Sequence, residues 1–79
     1  MSEKIGRVRI YQVEKGIGWI KFEDGSSDLP IYYSTLKKNG MELLKTGEKV
    51  LVYIEKQAGV NEITDIEKLD NWGLKLWMN

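Results

Sequence analysis

No cysteine and no histidine occur in this sequence of 79 residues, and proline occurs once. Without cysteine the chain forms no disulfide and offers no thiolate to a metal ion. Without histidine it lacks the most common metal ligand and the usual general base at neutral pH. The carboxylates, lysines and hydroxyls that remain stand in no recognisable catalytic pair. We therefore predict a protein that is not an enzyme and that holds no metal ion or other cofactor.

Long apolar runs are also missing. No stretch reaches the apolar length that spans a bilayer, and the first residues lack the apolar run of a secretion signal. Twelve basic and twelve acidic residues cancel, so no global field would attract a polyanion. These absences predict a cytoplasmic protein without membrane contact, in which any binding of nucleic acid depends on a local basic patch.

The chain does have a clear alternation of apolar and polar residues, which is typical of β-strands. The alternation predicts five short strands. The first lies at residues 5–13, and the second follows a short connection at 14–16 and runs through the glycine-containing stretch to about residue 22. The others lie at 29–33, 49–56 and roughly 60–69. Polar turn clusters separate these strands. Five short strands in one small domain indicate a barrel or a sandwich.

Three features of the strands give specific expectations. Alternation in the first strand places Val8 and Ile10 on the same face. Pro30 cannot donate to a strand ladder, so we expect it at an edge or a bulge. Ile63 and Ile66 are the predicted buried anchors of the last strand.

The alternation is lost between the third and fourth predicted strands. Ser34 is expected to cap one helical turn there. Leu43 and Leu44 are expected to lie beneath the loop that follows. The acidic cluster at residues 23–28 lacks the spacing of a calcium loop, so we interpret it as turn chemistry.

The last ten residues, 70–79, are more apolar than is expected of a terminal segment that makes no contacts. Helical spacing joins Trp72 with Leu76, whereas strand spacing joins Leu74 with Leu76, and the sequence does not decide between them. Trp72, Leu76 and Trp77 are candidates for capping an open barrel end, for contact with a second copy or another protein, or for stacking on a ligand. We predict a domain at residues 1–69 followed by an apolar C-terminal extension at 70–79.

The most distinctive stretch, residues 15–20, reads KGIGWI. In an extended chain Ile17, Trp19 and Lys21 lie on one face, and the glycine at position 18 lies on the other. A face that is apolar, aromatic and basic suits the stacking of bases along a phosphate backbone. A buried strand with a glycine bulge is the alternative interpretation.

From residue 6 to about residue 66 the order of features resembles the cold-shock domain family. Four segments match motifs of the family in the same order. GRVRIYQ corresponds to the family's G-x-V-K-W-F-N, and KGIGWI corresponds to its KGFGFI. DGSSDLPIYYSTL corresponds to its D-G-x-x-D-V-F-V-H-x-S-A-I, and TGEKVLV corresponds to its E-G-Q-x-V-x-F. The resemblance implies an all-β fold, namely a five-stranded antiparallel OB-fold barrel. It also implies binding of single-stranded DNA or RNA, with low sequence preference, through aromatic side chains.

The residues expected to contact nucleic acid are those that stand at the family's binding positions, together with residues of a basic rim beside them. They are Arg9, Tyr11, Lys15, Ile17, Trp19, Lys21, Tyr32 and Tyr33. The basic rim consists of Arg7, Arg9, Lys15 and Lys21, and the alternative for it is a solvated strand face with surface ion pairs. The sequence also departs from the family, because Ile10, Ile17 and Pro30 stand where the family has rings. At roughly 1–3 kcal/mol for each stacked base, three missing rings would weaken binding by roughly 3–9 kcal/mol if the losses were additive.

Two functions stay open at this point. The first is non-catalytic binding of single-stranded DNA or RNA through ring stacking and phosphate contacts, on a reduced aromatic platform. The second is a protein-interaction or regulatory module, whose altered face and C-terminal extension bind a component of the transcription or RNA-handling machinery. A homodimer built through the extension is compatible with either function.

Overall fold

Five antiparallel strands and one short helix make up residues 1–69, the part of the chain that the computed structural model describes. The elements are β1 (Ser2–Gln12), β2 (Ile17–Phe22), β3 (Leu29–Tyr32), α1 (Tyr33–Lys38), β4 (Lys49–Gln57) and β5 (Val60–Lys68). The strands form one sheet in the order β3-β2-β1-β4-β5. The sheet curls until β3 contacts β5, which gives a nearly closed barrel. The predicted all-β, five-stranded antiparallel OB-fold barrel is therefore confirmed.

Alternation along the strands sends one set of side chains into the barrel. In β2 every second residue is buried, so that Ile20 faces the core while Trp19 faces outward, as predicted. The buried core consists of Val8, Ile20, Phe22, Ile31, Leu36, Leu44, Val50, Val52, Ile54, Ile63 and Ile66. This set includes both predicted anchors of β5. Burial of these aliphatic side chains is the main term that favours the folded barrel.

The prediction that Val8 and Ile10 share a face is wrong. A β-bulge lies between them, because the pairing of β1 with β2 shifts register from Val8–Ile20 to Ile10–Trp19. The extra residue, Arg9, reverses the alternation for the rest of the strand. Val8 is 2% exposed and Ile10 is 44% exposed as a result. The bulge places Ile10 on the same outer face as Trp19.

The prediction that Ser34 caps the helix is also wrong. Helix α1 begins at Tyr33, and its N-cap residue Tyr32 makes no side-chain capping hydrogen bond. The chain passes directly from β3 into α1, and the backbone N–H of Tyr33 donates to the carbonyl oxygen of Gly16 at 2.9 Å. This bond satisfies one of the N–H groups at the helix start that have no partner within the helix.

The expectations for the loop leucines and for the proline have different outcomes. Leu44 is buried, but Leu43 is 39% exposed, so only one of the two lies beneath the loop. Pro30 lies in β3 at the edge of the sheet order, as predicted.

The predictions for the C-terminal extension lie outside the described residues. They concern the roles of Trp72, Leu76 and Trp77 and the domain boundary after residue 69, and they stay predictions. Within residues 1–69 the single helix is six residues long, so no described helix could cross a membrane.

Candidate nucleic-acid interface

The outer face of β1, β2 and β3 carries apolar side chains in two cross-strand rows. One row joins Ile10, Trp19 and Pro30, which are partners across the three strands. The next row joins Gln12, Ile17 and Tyr32. We call the five apolar members of these rows the platform; they are Ile10, Ile17, Trp19, Pro30 and Tyr32. Together they form a contiguous apolar surface on one side of the barrel.

The two aromatic members of the platform are open to solvent. Trp19 is 40% exposed and Tyr32 is 52% exposed. They lie on adjacent strands but one row apart, so they are diagonal neighbours, a relation that places residues roughly 7–8 Å apart. An indole and a phenol in this arrangement give a nucleic acid two separate rings on which to stack bases.

A groove continues from the platform along the loop between β1 and β2. Its lining includes Lys15 and Gly16 from the loop, Tyr32 and Tyr33 from the opposite side, and Glu42. Tyr33 is 42% exposed at the start of α1. The loop is held to α1 by the bond from the N–H of Tyr33 to Gly16, whose φ of 64° favours glycine. The groove brings together Lys15 and Tyr33, two of the residues expected to contact nucleic acid.

The arginines of the basic rim are paired with acidic residues. The guanidinium of Arg9 binds both carboxylate oxygens of Asp28 through Nε and Nη2. The hydrogen bond from Arg9, followed by its charge and that of Lys21, holds the pKa of Asp28 below its usual range. The Nε of Arg7 lies 3.8 Å from Glu23, and its Nη1 donates to the carbonyl oxygen of Gly47.

The lysines of the rim differ from the arginines. Among residues 1–69, neither Lys15 nor Lys21 forms an ion pair. Both side chains are exposed, Lys15 beside the groove and Lys21 beside Trp19 on β2. They are the rim cations that form no described ion pair, although the charge of Lys21 also acts on the carboxylate of Asp28. The pairing of Arg9 with Asp28 escaped the sequence analysis, because it depends on where the loop after β2 folds back onto the bulge.

Tyr11 lies apart from the platform. Its ring is half-buried against the core, since the bulge turns it inward. Its hydroxyl oxygen is enclosed and has no hydrogen-bond partner among residues 1–69. Burial, and then the nearby hydroxyl of Tyr33, raise the pKa of Tyr11. A Cβ on Gly18 would lie 2.7 Å from the Tyr11 ring and 2.9 Å from the carbonyl oxygen of Ile10, so only glycine fits there.

The substitution Tyr11→Phe is expected to stabilise the domain by roughly 1 kcal/mol, because it removes a buried hydroxyl that lacks a partner. Urea unfolding measures the change. Tyr53→Phe, on the outer face of β4, is the matched control and is expected to change the free energy of unfolding by less than about 0.5 kcal/mol. A clear loss of stability in Tyr11→Phe would show that the hydroxyl is bonded in solution.

The geometry defines a small antiparallel β-barrel of the OB-fold class with exposed rings and lysines on one sheet face. Residues 4–69 match the sequence profile of the family described as the "Cold-shock" DNA-binding domain. The chain belongs to this cold-shock domain family, a family of nucleic-acid-binding domains, as the sequence resemblance predicted.

Known cold shock proteins are similar to the chain over most of this region. It is 38% identical over 50 residues to the cold shock-like protein CspE of Escherichia coli strain K12, covering 63% of this chain and 72% of that protein. It is 33% identical over 64 residues to the major cold shock protein of Streptococcus pyogenes serotype M18, covering 81% of this chain and 94% of that protein. It is 38% identical over 45 residues to the probable cold shock protein A of Mycolicibacterium smegmatis, covering 57% of this chain and 67% of that protein.

Proposed function

We propose that this domain binds single-stranded DNA or RNA on the platform, by stacking and phosphate contacts and without catalysis. The observation that carries the proposal is the exposure of Trp19 and Tyr32 on adjacent strands, beside two lysines that form no ion pair within residues 1–69. Stacking on a ring tolerates any base, so low sequence preference follows. A cytoplasmic location stays a prediction.

The make-up of the platform sets the expected strength of binding. Two stacking rings contribute roughly 2–6 kcal/mol if their effects are additive. The three aliphatic members, Ile10, Ile17 and Pro30, offer apolar contact area but no ring. We therefore expect weaker binding than a platform with rings at all five positions would give.

The charge pattern sets the expected dependence on salt. Arg9 is neutralised by Asp28, and Arg7 lies near Glu23. Lys15 and Lys21 remain to neutralise phosphates. Two phosphate contacts to a single strand correspond to a slope of about −1.4 in a plot of log K against log salt concentration.

A titration with short oligothymidine or oligo-U, followed by backbone amide shifts, tests both whether and where binding occurs. The proposal expects the largest shifts on β2 and β3 around Trp19 and Tyr32. Quenching of Trp19 fluorescence gives a second readout in a Trp72→Phe/Trp77→Phe background. Absence of both responses at high micromolar protein concentration would refute the proposal.

Replacing Lys15 by glutamine is expected to make the salt slope shallower by about 0.7, the value for one lost phosphate contact. Affinity measured at several salt concentrations gives the slope. Lys38→Gln is the matched control, since Lys38 lies 3.3 Å from Asp65 and is ion-paired. A wild-type slope near −2.8, the value for four contacts, would show that both arginines leave their acidic partners on binding.

A protein partner on the platform is the second candidate function. It is favoured by the contiguous aliphatic surface, on which Ile10 is 44% exposed, and by the neutralisation of Arg9. Recovery of one stoichiometric partner that resists nuclease treatment supports it, provided that Ile10→Asn abolishes recovery. Sedimentation of the full chain tests the predicted homodimer separately.

A further inference from the structure

The groove beside the platform contains a carboxylate as well as a ring and a cation. It has a volume of about 700 Å³, and its lining includes Lys15, Tyr33 and Glu42. This volume lies in the range of roughly 300–1,000 Å³ that is typical of sites for small ligands, so the groove has room for a nucleobase. Stacking accounts for Tyr33 and phosphate binding accounts for Lys15. Neither accounts for Glu42, because a carboxylate repels phosphate.

The residues on either side of Glu42 hold its backbone in place. The N–H of Met41 donates to the carbonyl oxygen of Leu36 at 2.9 Å, and the Met41 side chain packs against the core. Leu44, two residues after Glu42, is 4% exposed. The side chain of Glu42 itself is exposed and forms no ion pair within residues 1–69. Its carboxylate is therefore available to a ligand in the groove.

Tyr33 supplies the stacking surface of the groove. Its side chain is exposed, and its N–H bond to Gly16 fixes the start of α1 against the loop between β1 and β2. The two residues approach closely, since a Cβ on Gly16 would lie 3.3 Å from the Cβ of Tyr33. Because Tyr33 and Glu42 line the same groove, a base that stacks on the ring can present its edge to the carboxylate.

An ionised carboxylate only accepts hydrogen bonds, which makes it selective among the bases. The Watson–Crick edge of guanine presents two adjacent donors, N1–H and the N2 amino group, and these match the two carboxylate oxygens. Adenine and cytosine present one amino group beside a ring nitrogen that accepts, whereas thymine and uracil present one N–H between two carbonyl oxygens. Paired, charge-assisted hydrogen bonds are the stronger ones, so the groove suits guanine best.

We infer that the groove is a guanine subsite, in which the base stacks on Tyr33 and donates hydrogen bonds from N1 and N2 to Glu42. The inference rests on the proposed function. It adds a preference at one position to a platform that tolerates any base. Lys15, on the opposite side of the groove, stays available to a phosphate of the same strand.

Titration of the full chain with two sets of oligomers tests the inference. One is short oligothymidine, and the other is the same oligomer with one guanine placed at each position in turn. At the best position, guanine is expected to increase the affinity about tenfold. Inosine at that position is expected to lose most of the gain, because it lacks the N2 amino group. Equal affinities for both sets would overturn the inference but leave the proposed function standing, whereas no binding of either set would refute both.

The substitution Glu42→Gln assigns the preference to a residue. It is expected to reduce the preference for guanine to about twofold or less, without lowering the affinity for oligothymidine. Glu14→Gln is the matched control, since Glu14 is also exposed and lines the same groove, and it is expected to keep the tenfold preference. An equal gain in affinity for all oligomers in Glu42→Gln would show repulsion alone and overturn the inference. Loss of the preference in Glu14→Gln instead of Glu42→Gln would also overturn it.

Discussion

Replacing both Trp19 and Tyr32 by alanine is expected to weaken binding to oligothymidine by about 30-fold or more. Each ring is worth roughly 1–3 kcal/mol to a stacked base, and about 1.4 kcal/mol corresponds to a tenfold change in affinity. Both side chains are at least 40% exposed, so their loss leaves the barrel core intact. Isothermal titration at fixed salt concentration measures the affinity, and urea unfolding confirms the fold.

The matched control for this double variant is Tyr53→Ala, which removes a ring from the outer surface of β4, away from the platform. It is expected to leave the affinity within about twofold, whatever its effect on stability. An affinity equal to the wild type in the double variant would mean that nucleic acid does not use the platform. Equal losses in the double variant and in Tyr53→Ala would point to a general effect on the fold.

Adding rings to the platform is expected to strengthen binding. Ile10→Trp and Ile17→Phe each place a ring in a row that already contains an aromatic residue. Each is expected to increase affinity by about 5-fold to about 150-fold, the equivalent of roughly 1–3 kcal/mol. Fluorescence or calorimetric titration of each single variant, and then of the pair, measures the gain.

Ile5→Trp is the control for ring addition, because it introduces the same side chain in β1 at an exposed position before the bulge, away from the platform. It is expected to give no gain. If Ile10→Trp gave no gain while loss of Trp19 weakened binding, the row of Ile10 would not contact the bound strand. That result would confine the interface to β2, β3 and the groove beside Lys15.

The outward position of Trp19 was predictable from the sequence because β2 alternates without interruption. The position of Ile10 was not, since a bulge adds one residue and inverts the facing of every later residue in β1. Simple alternation placed Ile10 beside Val8, whereas the structure places it beside Trp19. A local pattern carries no mark of such an insertion, because the register of the partner strand determines it.

Which cations of the basic rim are neutralised by ion pairs was even harder to predict from the sequence. Arg9 and Lys15 look equivalent as cations in the sequence. Asp28 lies 19 positions from Arg9 in the chain, and only the folding of the loop after β2 brings its carboxylate to the guanidinium. A count of the cations of the basic rim from the sequence therefore overstates the positive charge that is available beside the platform.

Pro30 has a consequence for what kind of ligand this barrel accepts. It occupies the middle of β3, a strand of four residues that ends the sheet order. Proline has no N–H group, so β3 has one backbone donor fewer than a strand without proline would have. Self-templated aggregation through β3 is disfavoured for the same reason. Extension of the sheet at β3 by an added strand is therefore less favourable than contact through the side chains of this strand.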